Sequence, residues 1–253
     1  MRIIAVANQK GGVAKTTTVH ALTAGLAQRG FKVLAVDLDP QGNLSSACGT
    51  ENYHVPTAYE LLKKEIQSVE AIQSAGRYDV IPANIMLAGI EQELTQTGKE
   101  HRLKEALEVL NGRYDFVIVD TPPSLGVLTV NAFTAAQEIL IPTTAGIFAT
   151  AGISQLSDTV KNVQKYCNPD VRINGILLTR FNPRANISRQ IKELTEDIGK
   201  YIAAPVYKTY IRSAVAVEEA QAKQTDIFSY ADKSTVSEDY KAFIDEFLKG
   251  DIR

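Results

Sequence analysis

The stretch Ile3-Ile4-Ala5-Val6-Ala7-Asn8-Gln9-Lys10-Gly11-Gly12-Val13-Ala14-Lys15-Thr16-Thr17-Thr18 restricts the fold more than any other part of the chain. An apolar, β-branched run ends at a polar pair. Two glycines follow, then a lysine and three hydroxyls, then an amphipathic run through Val19, Leu22, Ala24 and Leu26. That succession is strand, glycine loop and helix, the setting of a phosphate-binding loop. Glycines let backbone N–H groups curl around an anion, and the helix N-terminus adds partial positive charge. Lys15 is placed to reach β- and γ-phosphates, and the Thr16 hydroxyl to ligate Mg²⁺. Gly11, Gly12, Val13, Ala14 and Thr17 complete the cradle.

The strict pattern G-x-x-x-x-G-K-[ST] is not met, because its two glycine positions hold Gln9 and Ala14. Lys10 to Thr17 instead resembles the deviant Walker A box, usually K-G-G-x-G-K-T-T, of the ParA/MinD family of ATPases. The match fails only at Ala14. In that family the first lysine crosses a dimer interface to the partner's nucleotide, and the resemblance gives Lys10 this role. At Ala14 a methyl group is a small intrusion if φ is negative and an obstacle in a glycine-only conformation. A negative φ is the expectation.

A second buried strand, Phe31 to Val36, runs into Asp37-Leu38-Asp39-Pro40-Gln41-Gly42-Asn43. Carboxylates at the C-terminal end of a strand lie where α/β proteins bind ligands. Asp39 is placed to orient water toward a γ-phosphate. In isolation the same residues read equally as a turn at Asp39-Pro40 with Asp37 as a cap. The segment also resembles the family's second motif, which assigns hydrolysis to Asp39. Tyr114-Asp115-Phe116-Val117-Ile118-Val119-Asp120 is an apolar strand delivering one acid, the Walker B arrangement, with Asp120 as metal ligand. The following Thr121-Pro122-Pro123-Ser124-Leu125-Gly126 matches a hallmark of the family and forms a stiff loop able to sense a γ-phosphate. Ile81 to Gly89 resembles a packing segment of the same family.

Further on, Glu138 to Pro142 and Val171 to Thr179 read as strands, with a helix from about Thr150 to Tyr166 between them. The loop 143–148 departs from the family pattern. The resemblance brings the end of the later strand near adenine, so Thr179 and Arg180 are base-contact candidates; a plain turn fits equally. Strands alternating with helices imply one doubly wound, mostly parallel sheet with helices on both faces, in a single domain over 1–253.

Charge enters through its distribution, since the net charge of −2 gives no global attraction to nucleic acid. From Arg172 to Arg212 there are eight Lys/Arg against three acids, and from Ser213 onward five against nine. A basic band suits a polyanion, although a solvated face of scattered cations fits it too. The family binds non-specific DNA as a dimer through basic residues of this half. Arg184, Arg189, Lys192 and Arg212 are the candidates, acting on phosphates without reading sequence. The apolar positions Val236, Tyr240, Phe243, Ile244 and Phe247 share a helical face. Glu238, Asp239, Asp245 and Glu246 on its polar side would be repelled by anionic lipid, so this helix is expected to dock on the core rather than on a membrane.

Cys48 and Cys167 are isolated, and His20, His54 and His101 are scattered, which argues against a disulfide or a metal cluster. No apolar run approaches the ~18 residues of a membrane span and no leader is visible, so a cytoplasmic protein is expected. The resemblance then implies a partitioning ATPase: ATP and Mg²⁺ bound by each subunit, an ATP-sandwich dimer, non-specific DNA, and slow hydrolysis stimulated by a ParB-like centromere-binding protein. The alternatives are a MinD-like positioning ATPase, disfavoured by the acidic helix, and a ParA-like regulator of another cargo. A nitrogenase-iron-protein-like redox ATPase would need cysteines beside the switch loop, and 121–135 contain none.

Overall fold

Ile3 and Ala5 face one side of a sheet and Ile4 and Val6 the other, and both sides are buried. This is why the strands read as continuous apolar runs rather than alternating ones. The computed structural model describes residues 1–145 and 149–250. In chain order the elements are β1 (Arg2–Val6), α1 (Lys15–Gln28), β2 (Val33–Asp37), α2 (Asn43–Ala47), α3 (Ala58–Lys63), β3 (Gln73–Ser74), β4 (Asp79–Ile81), α4 (Ile90–Glu93), α5 (Arg102–Glu108) and β5 (Phe116–Asp120). Then follow α6 (Val127–Ala135), β6 (Glu138–Thr144), α7 (Ala149–Tyr166), β7 (Arg172–Thr179), α8 (Asn186–Tyr201), β8 (Val206–Tyr210), α9 (Val215–Ala222), α10 (Ile227–Ala231) and α11 (Thr235–Lys249).

The eight strands lie in the order β3-β4-β2-β5-β1-β6-β7-β8, parallel except for β3. The expected doubly wound α/β sheet is therefore present. Residues from α3, α5, α6 and α7 cover the face carrying Ile3 and Ala5. Residues from α1, α10 and α11 cover the face carrying Ile4 and Val6. The central strand β1 lies between β5 and β6, so connections diverge to opposite sides of it. Such a switch point opens a crevice at the strands' C-terminal ends.

The family-like segment from Ile81 onward ends in a 3₁₀ turn, Ile85–Gly89, followed by the short α4. Asn84 takes the Met86 N–H on its side chain (3.0 Å), which caps a tighter turn than an α-helix would begin with. The segment 100–110 likewise starts as a 3₁₀ turn at Lys99–His101 before α5.

Docking of α11 follows the expectation. Val236, Tyr240, Phe243, Ile244 and Phe247 are all buried. Its acids serve the rest of the chain: Glu246 accepts the Lys208 and Thr209 N–H groups (2.8 and 2.9 Å), and Asp245 pairs with Arg29. Among the described residues no helix is long and apolar enough to cross a membrane. His20 is buried against the Tyr78 hydroxyl (2.7 Å), and burial pulls its pKa down to about 4, a neutral structural histidine.

Candidate active site

The loop from β1 to α1 is tied at three points. Asn8 donates to the Pro142 carbonyl (2.8 Å) and accepts the Lys10 N–H (3.0 Å). The Thr179 hydroxyl, at the end of β7, donates to the Val13 carbonyl (3.0 Å). Gly12 has φ 72°, a left-handed conformation, and a side chain placed on Gly11 or Gly12 would meet no atom within 4 Å. The inner wall of the loop is thus an open cradle of backbone.

The expectation of a negative φ at Ala14 is wrong. Ala14 has φ 62° and ψ 35°. It is the N-cap of α1, and its carbonyl already accepts the Thr18 N–H (2.9 Å). The chain must reverse within one residue to leave the cradle and start this helix, so the left-handed state is imposed on an alanine at a cost of about 1–2 kcal/mol.

Lys15 is buried at the start of α1, and its ammonium donates to the Lys10 carbonyl across the loop (3.4 Å). Burial lowers its pKa, opposed by the charges of Asp120 and Asp39. Lys10 is exposed.

Parallel pairing sets Asp37 of β2 beside Asp120 of β5. Asp37 accepts the Asp39 N–H (3.0 Å), the Ser45 N–H (2.9 Å) and the Ser45 hydroxyl (2.7 Å). It therefore braces the turn into α2, the capping role open to it from the sequence. Asp39 stands in the cavity beside Lys15 and Thr16 and accepts the Gln41 N–H (3.0 Å). Asp120 is fully buried, and among the described residues neither of its carboxylate oxygens has a hydrogen-bond partner. Burial first, and then the neighbouring Asp37, raise its pKa, against the pull of Thr16 and Lys15. A buried carboxylate with two orphaned oxygens beside a threonine hydroxyl fits a divalent cation.

The loop after β5 is fixed at both ends. The Thr121 hydroxyl donates to the Val6 carbonyl (2.9 Å), and the Val127 N–H, first in α6, donates to Glu91 on α4 (2.6 Å).

Two cavities meet over the phosphate loop. One, of about 600 Å³, is lined by Gly11, Lys15, Thr16, Asp39 and Pro123. The other, of about 450 Å³, is lined by Thr179, Arg180, Ile211, Val217 and Tyr240, a largely apolar chamber of a size for a planar base. Arg180 sits at its edge with φ 49°, a strained conformation of the kind found at functional sites.

The four basic candidates differ in their surroundings. Arg184 is exposed, and Arg189, also exposed, reaches back to the Asn186 side chain at the start of α8. Lys192 lies 3.9 Å from Glu196. Arg212 instead binds Asp239 through both its backbone N–H and its guanidinium (2.7–3.2 Å), and it lines the apolar chamber.

Residues 1–173 match a family described as AAA domain. The sporulation initiation inhibitor protein Soj of Bacillus subtilis is 44% identical over 94% of this chain and 95% of its own length. The chromosome partitioning protein ParA of Myxococcus xanthus is 41% identical over 99% of this chain and 89% of its own. The chain belongs to the ParA/Soj family. Among solved structures, a cobyrinic acid a,c-diamide synthase from Mycobacterium smegmatis with bound ATP analogue and magnesium is 37% identical. It superposes with a TM-score of 0.86 over 98% of this chain and 95% of the other.

In this ParA/Soj chain the fold brings Lys15, Thr16, Asp39 and Asp120 to one crevice and Arg180 to the adjoining chamber. The sequence carries no recognisable sign of α9, whose Val217 and Gln221 line the chamber. An alanine- and glutamate-rich octapeptide has no motif, and the packing of Ala216, Val217 and Ala220 against the body of the chain aims it here. Glu91 is equally unmarked, one acid among several in 91–108. Of the loop 143–148, which departs from the family pattern, residues 146–148 lie outside the described residues.

Proposed function

We propose that this chain is a Mg-ATP-dependent DNA-partitioning ATPase, working as one domain in the cytoplasm and on the nucleoid when ATP-bound. The observation that carries the reading is Asp120: two buried carboxylate oxygens without hydrogen-bond partners among the described residues, next to Thr16 and Lys15 at the mouth of an open backbone cradle. Thr16 and Asp120 would hold Mg²⁺, which supplies charge neutralisation on the phosphate oxygens. Backbone N–H groups of Gly11 to Thr17 receive the phosphates, and Lys15 places its charge on the β- and γ-phosphates. Asp39 orients the attacking water, whose oxygen bonds to the γ-phosphorus as the bond to ADP breaks, releasing phosphate. A carboxylate is a weak base for this water, so intrinsic turnover is slow, and a ParB-like partner accelerates it.

Lys10 is free to reach outward, and in this reading it crosses to the nucleotide of a second subunit in an ATP-sandwich dimer. The dimer holds non-specific DNA through Arg184, Arg189, Lys192 and Arg212 and releases it on hydrolysis. The apolar face of α11 is buried against the core, so that face is not available to a lipid surface, which favours this reading over a MinD-like one.

The test is retention of DNA with ATP, with ADP and without nucleotide, alongside a liposome control. ATP-dependent DNA retention that Lys15→Ala abolishes is the expected result. Retention indifferent to nucleotide and to Lys15→Ala overturns the phosphate-site assignment, and nucleotide-dependent liposome binding without DNA binding favours the membrane class. Lys10→Ala is expected to impair dimerisation or hydrolysis while leaving single-subunit nucleotide binding intact.

A further inference from the structure

The two cavities over the phosphate loop share four lining residues: Gly12, Ala14, Thr17 and Gln221. Gly12 and Ala14 offer no polar side-chain atom. Thr17 belongs to the first turn of α1, where its hydroxyl accepts a hydrogen bond from the Gln221 Nε2 (3.2 Å). Gln221 is therefore the long polar side chain at the waist between the chambers. Among the described residues its carboxamide oxygen has no hydrogen-bond partner.

The order of groups in a nucleoside triphosphate fixes what must lie at that waist. Its phosphates belong in the chamber of Lys15, Thr16 and Asp39, and its base in the apolar chamber of Ile211, Val217 and Tyr240. The sugar joins the two. A ribose presents a vicinal diol, whose hydroxyls both donate and accept, and a carboxamide matches it with one donor and one acceptor group. Backbone bonds hold α9 in place at its C-terminus: the Lys223 N–H donates to the Glu219 and Ala220 carbonyls (both 3.1 Å), and the Thr225 N–H to Ala220 (3.1 Å). Ala220, next to Gln221, is buried. The side chain thus swings from a fixed base.

We propose that Gln221 reads the sugar of the bound nucleotide, hydrogen-bonding a ribose hydroxyl at the junction of the two cavities and so favouring ribonucleotides over deoxyribonucleotides. The inference rests on the nucleotide assignment above. Binding of a 2′- or 3′-deoxy sugar would leave the carboxamide facing a missing partner, a loss of about fivefold in affinity for one hydrogen bond.

Equilibrium binding of ATP, 2′-deoxyATP and 3′-deoxyATP, each with Mg²⁺, tests this on the full chain. The wild type is expected to bind ATP about fivefold more tightly than at least one deoxy analogue. Gln221→Leu is expected to erase that ratio by weakening ATP while leaving the discriminated analogue unchanged. Gln221→Met, which keeps the side-chain length, must give the same result if the first variant folds poorly. Equal affinities in the wild type, or an unchanged ratio in the variants, overturn the role of Gln221 alone. Failure of the wild type to bind any of the three overturns the nucleotide assignment and this inference with it.

Discussion

Asp37 and Asp120 face each other in register on β2 and β5, both fully buried, yet among the described residues Asp37 has hydrogen-bond partners and the Asp120 carboxylate oxygens have none. Burial pushes the Asp37 pKa from the ordinary 3.8 to about 6, against the bonds from Ser45 and Asp39, and Asp120 is raised as well. One acid of the pair is committed to structure, and the other is left open for a cation.

This division predicts how stability changes with pH. Acids with folded pKa values above their unfolded ones bind more protons in the folded state, so stability falls as pH rises from about 4 through about 6. Asp120→Asn removes a buried charge that lacks a partner. The metal-free variant is expected to melt higher than wild type near neutral pH, by a few degrees for about 1 kcal/mol, with a flatter pH dependence. It is also expected to lose the stabilisation conferred by Mg²⁺ and nucleotide. Thermal melts with and without both, at pH values of about 5 and 8, check this. A variant still stabilised by Mg²⁺ and nucleotide would remove Asp120 from the metal site.

Ala14→Gly tests the strain in the phosphate loop. Glycine relieves a left-handed φ costing about 1–2 kcal/mol, and gives back about 0.4–1 kcal/mol through a more flexible unfolded chain. The net expectation is a gain of about 0.5–1 kcal/mol in denaturant unfolding, with nucleotide binding retained. A loss of stability would mean that the alanine methyl makes compensating contacts.

Why some of this was legible in the sequence and some not follows from the range of the interactions. The loop at Lys10 to Thr17, Asp39 and Asp120 each sit at the end of an apolar run that can only be a buried strand, so pattern alone places them at one sheet edge. The left-handed state of Ala14 depends on where the loop must go next, which composition does not encode. Asp37 illustrates the same limit: cap and ligand look alike in sequence, and Ser45, eight residues on, decides between them. Gln221 reaches Thr17 across 204 residues of chain, and Glu91 reaches Val127 across 36. Interactions of that span leave no local periodicity.

The bond from the Val127 N–H to Glu91 carries a prediction about the loop between Asp120 and α6. Gly126, the N-cap of α6, has no side chain to offer, and Glu91 supplies the missing acceptor from another helix. A methyl group on Gly126 would lie 1.9 Å from the Glu91 Oε1 and displace it. Glu91→Ala and Gly126→Ala are each expected to cost about 1 kcal/mol, and the double variant little more than either single one. Additive losses would show that Glu91 and Gly126 act separately. Because the same bond closes the loop that begins at Asp120, Glu91→Ala is also expected to lower kcat more than it weakens nucleotide binding.

The basic band makes the last prediction. Arg184 and Arg189 are exposed at the entrance to α8, whereas Arg212 is held by Asp239 and faces the apolar chamber. If the band binds phosphates, reversing Arg184 and Arg189 to glutamate weakens DNA binding equally for any sequence. It also reduces the slope of log affinity against log salt by about 1 for each phosphate no longer neutralised. Arg212→Glu, by contrast, places a carboxylate beside Asp239 and is expected to lower thermal stability and nucleotide binding before any effect on the salt slope. Titrations of random-sequence duplex at several salt concentrations separate the cases. An unchanged slope in the double reversal would move the DNA-binding surface away from α8.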